Sequence, residues 1–246
     1  MTRPRYLDAV RSVLNHIEET QSDQTRRAAG IIASALLAGG AVRCAEIGHS
    51  LEHDFFQRAG GLAAVRLFTY QVDADADLPG PLRDRLGPAR RQTDGAAVRL
   101  ALRRSGLQAG DVILVSSVSG RSPRVIELSI AARELGMNII GFTSAEYSAH
   151  VEPAHSSGKK LSEVVDVVID IGAPYGDAAV SMEGFDYPVL PVSGPGLLCA
   201  GWVIWEYVME IMAAAGTPPS VLISINRPEG LAHYEETRRI YNERGF

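Results

Sequence analysis

Apolar residues at Tyr6, Val10, Val13, Leu14 and Ile17 recur at helical spacing and predict a first helix over residues 5–21. A second is predicted over 24–38, where Gly39-Gly40 supplies a stop. The pattern then shortens. "VRCAEI" and "AVRLF" are strand candidates, separated by the turn "GHS" and a compact helix, "LEHDFFQRAGG". From Gln71 to Gly95 the periodicity fades into "DADAD" and three prolines, which fits either a solvated loop with a short helix or an excursion near a pocket mouth. Helix returns over 94–105. "DVILVSS" follows as a nearly unbroken apolar run, as expected of a strand covered on both faces. "SPRVIELSIAARELG" predicts a helix with Ser122 at the N-cap, Pro123 in the first turn and Gly136 as the stop. "NIIGFTS", "VVDVVIDIG" and "VLISI" are further strand candidates, with helices over 195–215 and around 230–243.

Strands alternating with helices predict an α/β fold: a doubly wound, flavodoxin-like parallel sheet of about five strands with flanking helices. The expected organisation is a single domain over 1–246. Residues 1–40 are its N-terminal helices, 41–172 its ligand-binding core and 173–246 a C-terminal helical part.

Composition narrows the functional classes. Net charge is −5 and no block of Lys and Arg occurs, so no nucleic-acid partner is expected. Cys44 and Cys199 are far apart in apolar surroundings, which fits reduced residues in a cytoplasmic protein. The N-terminal stretch is amphipathic and carries acids, unlike a signal peptide. "GLLCAGWVIWEYVMEIMAAAG" is long enough for a membrane span, but Glu206 and Glu210 interrupt it on one helical face. A core or interface helix is expected, and no membrane association.

The candidate chemistry lies in "VSSVSGRSP", at the junction between a predicted strand and the next helix. In open parallel sheets ligands sit beyond the carboxyl ends of the strands. The first turn of the following helix has free N–H groups and the positive end of the helix dipole, which suit an anion. Ser117, Ser119 and Ser122 add short donors, and Gly120 permits close backbone approach. Walker-loop spacing and a G-x-S-x-G elbow are both missing. Two further strand ends carry hydroxyls: Ser50 in "EIGHS", and Thr143 and Ser144 in "GFTS". Arg121 either adds a bidentate contact or points to solvent.

"SVSGRS" after one apolar strand, "GHS" after an earlier one and "TS" after a later one resemble the sugar isomerase (SIS) domain family over residues 40–172. The likeness is greatest to its stand-alone, phosphoheptose-isomerase-like members. The resemblance implies that Ser117, Ser119 and Ser122 hold the phosphate of a sugar phosphate, with Ser50 assisting. It also implies a homo-oligomer, dimer or tetramer, in which one subunit often completes its neighbour's pocket.

Isomerisation through an enediol needs a base beside the carbonyl carbon. Glu52 and His53 are local candidates. In the family a glutamate lies further along this helix, but Gln57-Arg58 stands there in this chain. His155 and Lys159, in "AHSSGKK", are candidates for ring opening or for contacts across a dimer. His49, His53, His150 and His155 complete no recognisable metal set, and neither a metal nor another cofactor is expected. The expected function is a cytoplasmic aldose–ketose sugar-phosphate isomerase. The alternatives are a phosphosugar sensor without turnover, and a lyase or etherase acting on phosphorylated amino sugars.

Overall fold

A computed structural model of the chain describes residues 4–48, 55–71 and 95–246. Two helices, α1 (Arg5–Thr20) and α2 (Ser22–Leu37), precede β1 (Val42–Gly48) and β2 (Val65–Phe68). Then come α3 (Gly95–Arg104), β3 (Val112–Ser116), α4 (Pro123–Glu134), β4 (Asn138–Thr143), a short α5 (Ala145–Ala149) and β5 (Val167–Asp170). A hairpin of β6 (Ala178–Val180) and β7 (Val189–Pro191) leads into α6 (Ser193–Ala214), and α7 (Gly230–Arg244) ends the described elements.

The first five strands form one parallel sheet in the order β2-β1-β3-β4-β5. Strand alternation sends successive residues to opposite faces. Val112, Leu114, Ile140 and Phe142 enter a core shared with α1, α2 and α6. Ile113, Val115 and Ile139 enter a second core under α3 and α4. The strand order reverses between β1 and β3, which makes their carboxyl ends the switch point where such sheets place ligands. Gly48 lies beside Ser116 there, so the two chain segments leaving the sheet begin as neighbours.

The expected doubly wound sheet and its five strands are present. The expected strand at "VLISI" is not. Val221 makes one antiparallel bridge to Leu62, and the backbone there bonds to Gly60, Gly61 and Ala63 before the chain turns away. Among the described residues no strand continues beside it to hold a ladder. The predicted helix "LEHDFFQRAGG" begins outside the described residues, as does most of the 71–95 segment. The β6–β7 hairpin, absent from the sequence reading, interrupts the region expected to be helical.

α6 is the one described helix long and apolar enough to cross a membrane. Its Leu197, Ala200, Ile204, Trp205 and Val208 are buried in the first core, while Glu206 and Glu210 are exposed. One side of the helix is thus packed into the core, with both glutamates away from it. Gly201 is required within it because the Phe55 ring occupies the space a Cβ would need. Phe55 also meets Trp202 and Trp205 edge-on, with ring centroids 5.9 Å apart in each pair.

Candidate functional site

β3 is buried along its whole length and delivers the chain to the serine turn. The Ser117 N–H donates to the Phe142 carbonyl at 3.0 Å, extending the β3–β4 ladder by one residue. The chain then reverses: Gly120 N–H donates to Ser117 O at 2.9 Å. Gly120 has φ +67, the left-handed region, and packs against the Ser148 and Thr143 hydroxyls. β4 buttresses the turn, since Thr143 Oγ1 and the Ser144 N–H both donate to Val118 O, at 3.2 and 2.9 Å. Leu161 N–H donates to Gly120 O at 2.8 Å, tying the 150–160 loop to the same turn.

Ser122 stands at the N-cap of α4 with Pro123 next, as the sequence predicts. Its side chain, however, makes no capping bond. Among the described residues the hydroxyls of Ser119 and Ser122 have no hydrogen-bond partner. Ser117 is buried, and its Oγ lies 3.4 Å from the Ser122 nitrogen. These three serines line a cavity of about 350 Å³ with Val118, Tyr147, Gly176 and Asp177. Two unengaged hydroxyls at a helix N-terminus, over a cavity, form a site able to receive an anion.

Tyr147, Gly176 and Asp177 are the contribution that sequence reasoning missed. Asp177, at φ +69, reaches across the base of the β6–β7 hairpin to the start of α6. Its Oδ1 accepts from the Val192 and Ser193 N–H groups at 3.2 and 2.8 Å, and its Oδ2 from Ser193 Oγ at 2.7 Å. The carboxylate is therefore balanced by the positive end of a long helix. The available signal was "PYGD", shortly after the β5 segment.

Other expected site residues lie elsewhere. Ser144 is fully buried and does not line the cavity. Its hydroxyl donates to Ala173 O at 2.5 Å and accepts from the Tyr147 N–H at 2.9 Å, capping α5. Arg121 is exposed beside the turn, and Lys159 is exposed on its loop. Lys160, not Lys159, reaches inward, to Ser148 O. Ser50, Glu52, His53 and His49 lie outside the described residues.

His155 is held away from the cavity by a network on α4. Its Nδ1 lies 2.8 Å from Ser157 Oγ, and its Nε2 is hydrogen-bonded to Glu127 Oε2 at 2.7 Å. Glu127 Oε1 takes Arg99 Nη1 at 2.7 Å, and Arg99 also pairs with Glu134. Arg99 holds the Glu134 carboxyl below its usual range. Tyr70, just past β2, lies near Arg124 and Glu127; burial raises its phenol pKa and Arg124 partly opposes that. Among the described residues no group of three His, Cys, Asp or Glu is placed to hold a metal.

A larger cavity of about 770 Å³ lies between Gln57–Ala59 and residues 222–234. Its lining mixes Leu222, Ile225 and Leu231 with Gln57, Arg58, Ser224 and Asn226. The serine cavity lies at the strand ends, where open parallel sheets place ligands.

Comparison with known proteins agrees with this fold. A family model described as the SIS domain matches residues 5–144. A UPF0309 protein of Listeria monocytogenes serotype 4b is 33% identical over 249 residues, covering 97% of this chain and 95% of that protein. A UPF0309 protein of Streptomyces coelicolor is 30% identical, covering 98% and 96% respectively. Among solved structures, the phosphoheptose isomerase GmhA from Neisseria gonorrhoeae superposes with a TM-score of 0.52 at 18% identity, over 82% of this chain and 95% of that one. That last likeness is one of fold.

Proposed function

The chain belongs to the SIS-domain family and to the UPF0309 family, and on that premise we propose that its serine turn binds the phosphate of a sugar phosphate. One observation carries the reading: Ser122 occupies the N-cap of α4 without capping it, so its hydroxyl and that of Ser119 remain for a ligand. Ser117 completes the cradle, Gly120 lets the backbone come close and Ser50 assists from the neighbouring strand end. The dipole of α4 favours the anion.

The proposed reaction is aldose–ketose isomerisation through an enediol. The phosphate only sets the register of the carbons, and proton transfer needs a base. Glu52 and His53 are the proposed bases, because their segment leaves β1 one strand from the serine turn. His155 acts indirectly in this scheme. Its bond to Glu127 anchors the 150–160 loop, and that loop's end supports Gly120 through Leu161. No cofactor enters the proposal, and the enzyme works as a cytoplasmic homo-oligomer.

A thermal-shift panel of aldose, ketose and amino-sugar phosphates tests the cradle. A ligand present at 100 times its dissociation constant should stabilise the fold by about 2.7 kcal/mol, and Ser119→Ala should abolish the shift. The stabilising ligand is then assayed for turnover with wild type and with Glu52→Gln/His53→Gln. Turnover lost in the double variant supports the isomerase. Binding without turnover in wild type favours the sensor, and no shift with any phosphosugar removes the reading.

A further inference from the structure

The serine cavity has a second wall that the phosphate does not need. Tyr147 lines it, half-buried against the first core, together with Gly176 and Asp177. Backbone bonds hold the residue and a neighbouring ring packs on its side chain. Tyr147 N–H donates to Ser144 Oγ, which itself donates to Ala173 O. Tyr175 meets Tyr147 edge-on, with centroids 5.2 Å apart and planes at 79°. His150 packs on the other ring of that pair at 5.2 Å, and Tyr175 N–H is held by Glu146 Oε1 at 3.0 Å. An aromatic face whose position is set before binding costs little ordering when a ligand lies on it.

This wall also limits what can bind. The Asp177 carboxylate already accepts three donors at the start of α6 and has none of its own to give a ligand. The cavity, at about 350 Å³, is near the lower end of the ~300–1,000 Å³ span of small-molecule sites. A nucleotide sugar or a bisphosphate is poorly matched to it. A single sugar ring or chain has hydroxyls on its edges and C–H groups on its faces, and the C–H groups suit an aromatic surface.

Building on the phosphosugar reading, we propose that Tyr147 determines specificity in this cavity: its ring takes the C–H face of a monosaccharide monophosphate while the serines hold the phosphate. Tyr175 is a positioning residue, acting through the Tyr147 ring.

Calorimetric titration with five probes tests this: inorganic phosphate, glucose 6-phosphate, fructose 6-phosphate, N-acetylglucosamine 6-phosphate and fructose 1,6-bisphosphate. Wild type should bind at least one monophosphate more tightly than inorganic phosphate and more tightly than the bisphosphate. Tyr147→Ala should weaken that sugar monophosphate about five- to tenfold and leave inorganic phosphate within about twofold. Tyr147→Phe keeps the ring and should bind as wild type does. Tyr175→Ala, which leaves the cavity lining intact, should weaken the sugar by a smaller factor and not the phosphate. Equal weakening of phosphate and sugar in Tyr147→Ala, or no weakening, overturns the assignment while leaving the phosphate cradle standing. Wild type that binds none of the probes overturns the phosphosugar reading, and this inference with it.

Discussion

Gly120 shows how one residue shapes the serine turn. Its φ of +67 is a conformation L side chains rarely adopt, and a Cβ there would lie 2.9 Å from Ser148 Oγ and 3.1 Å from Thr143 Oγ1. Both backbone groups of the residue are engaged, the N–H with Ser117 and the carbonyl with Leu161. Gly120→Ala should therefore destabilise the protein by about 1–3 kcal/mol, read as a lower urea midpoint with unchanged slope. A change of less than half that size would mean the turn relaxes freely. At this scale the sequence was informative about residue type: serines around one glycine after an apolar run mark a tight, donor-rich turn. It was silent on which hydroxyls stay free. Ser144 looks as available as Ser119 in the sequence, but the buried Ala173 carbonyl and the first turn of α5 engage it completely.

Elements with strong periodicity were legible, and those made by single contacts were not. The parallel strands are apolar runs bounded by turns, and α4 carries its Ser-Pro start and glycine stop in order. The β6–β7 hairpin has only three residues in each strand, below what alternation can mark, and its ends meet through Asp177 and the start of α6. That contact caps a helix from 16 residues away. Asp177→Ala should cost about 1–2 kcal/mol, in the range of a lost helix cap, and Asp177→Asn should cost less because the amide oxygen still accepts. Thermal unfolding of both variants separates the cases: equal losses would show that charge, not acceptance, stabilises α6.

At the level of the whole molecule, the last helix covers a face near the sheet's edge. Arg43 and Arg66 are cross-strand neighbours on β1 and β2, a like-charged pair that would be unfavourable alone. The Arg66 guanidinium sits over the Tyr241 ring, 4.3 Å from its centroid, and the Tyr241 hydroxyl is 3.5 Å from Arg43 Nη2. Among the described residues Arg66 Nε is buried without a hydrogen-bond partner, so the ring face is its main compensation. Tyr241→Ala should lower stability by about 1–2 kcal/mol. In a double-mutant cycle with Arg66→Leu the two losses should be less than additive, and full additivity would show that the contact contributes nothing.

By itself the sequence determined the α/β class, the succession of strands and helices and the position of the donor-rich turn. These follow from local periodicity and from the backbone preferences of serine, proline and glycine, which need no distant partner. The tertiary structure alone decided the composition of the cavity wall. Tyr147, Gly176 and Asp177 reach the serines because β4 and β5 lie side by side and α6 returns across the same sheet face. It also decided that His155 faces Glu127 rather than the serines. Such choices depend on which buried donors find acceptors once the layers pack, and that matching exists only in the folded molecule.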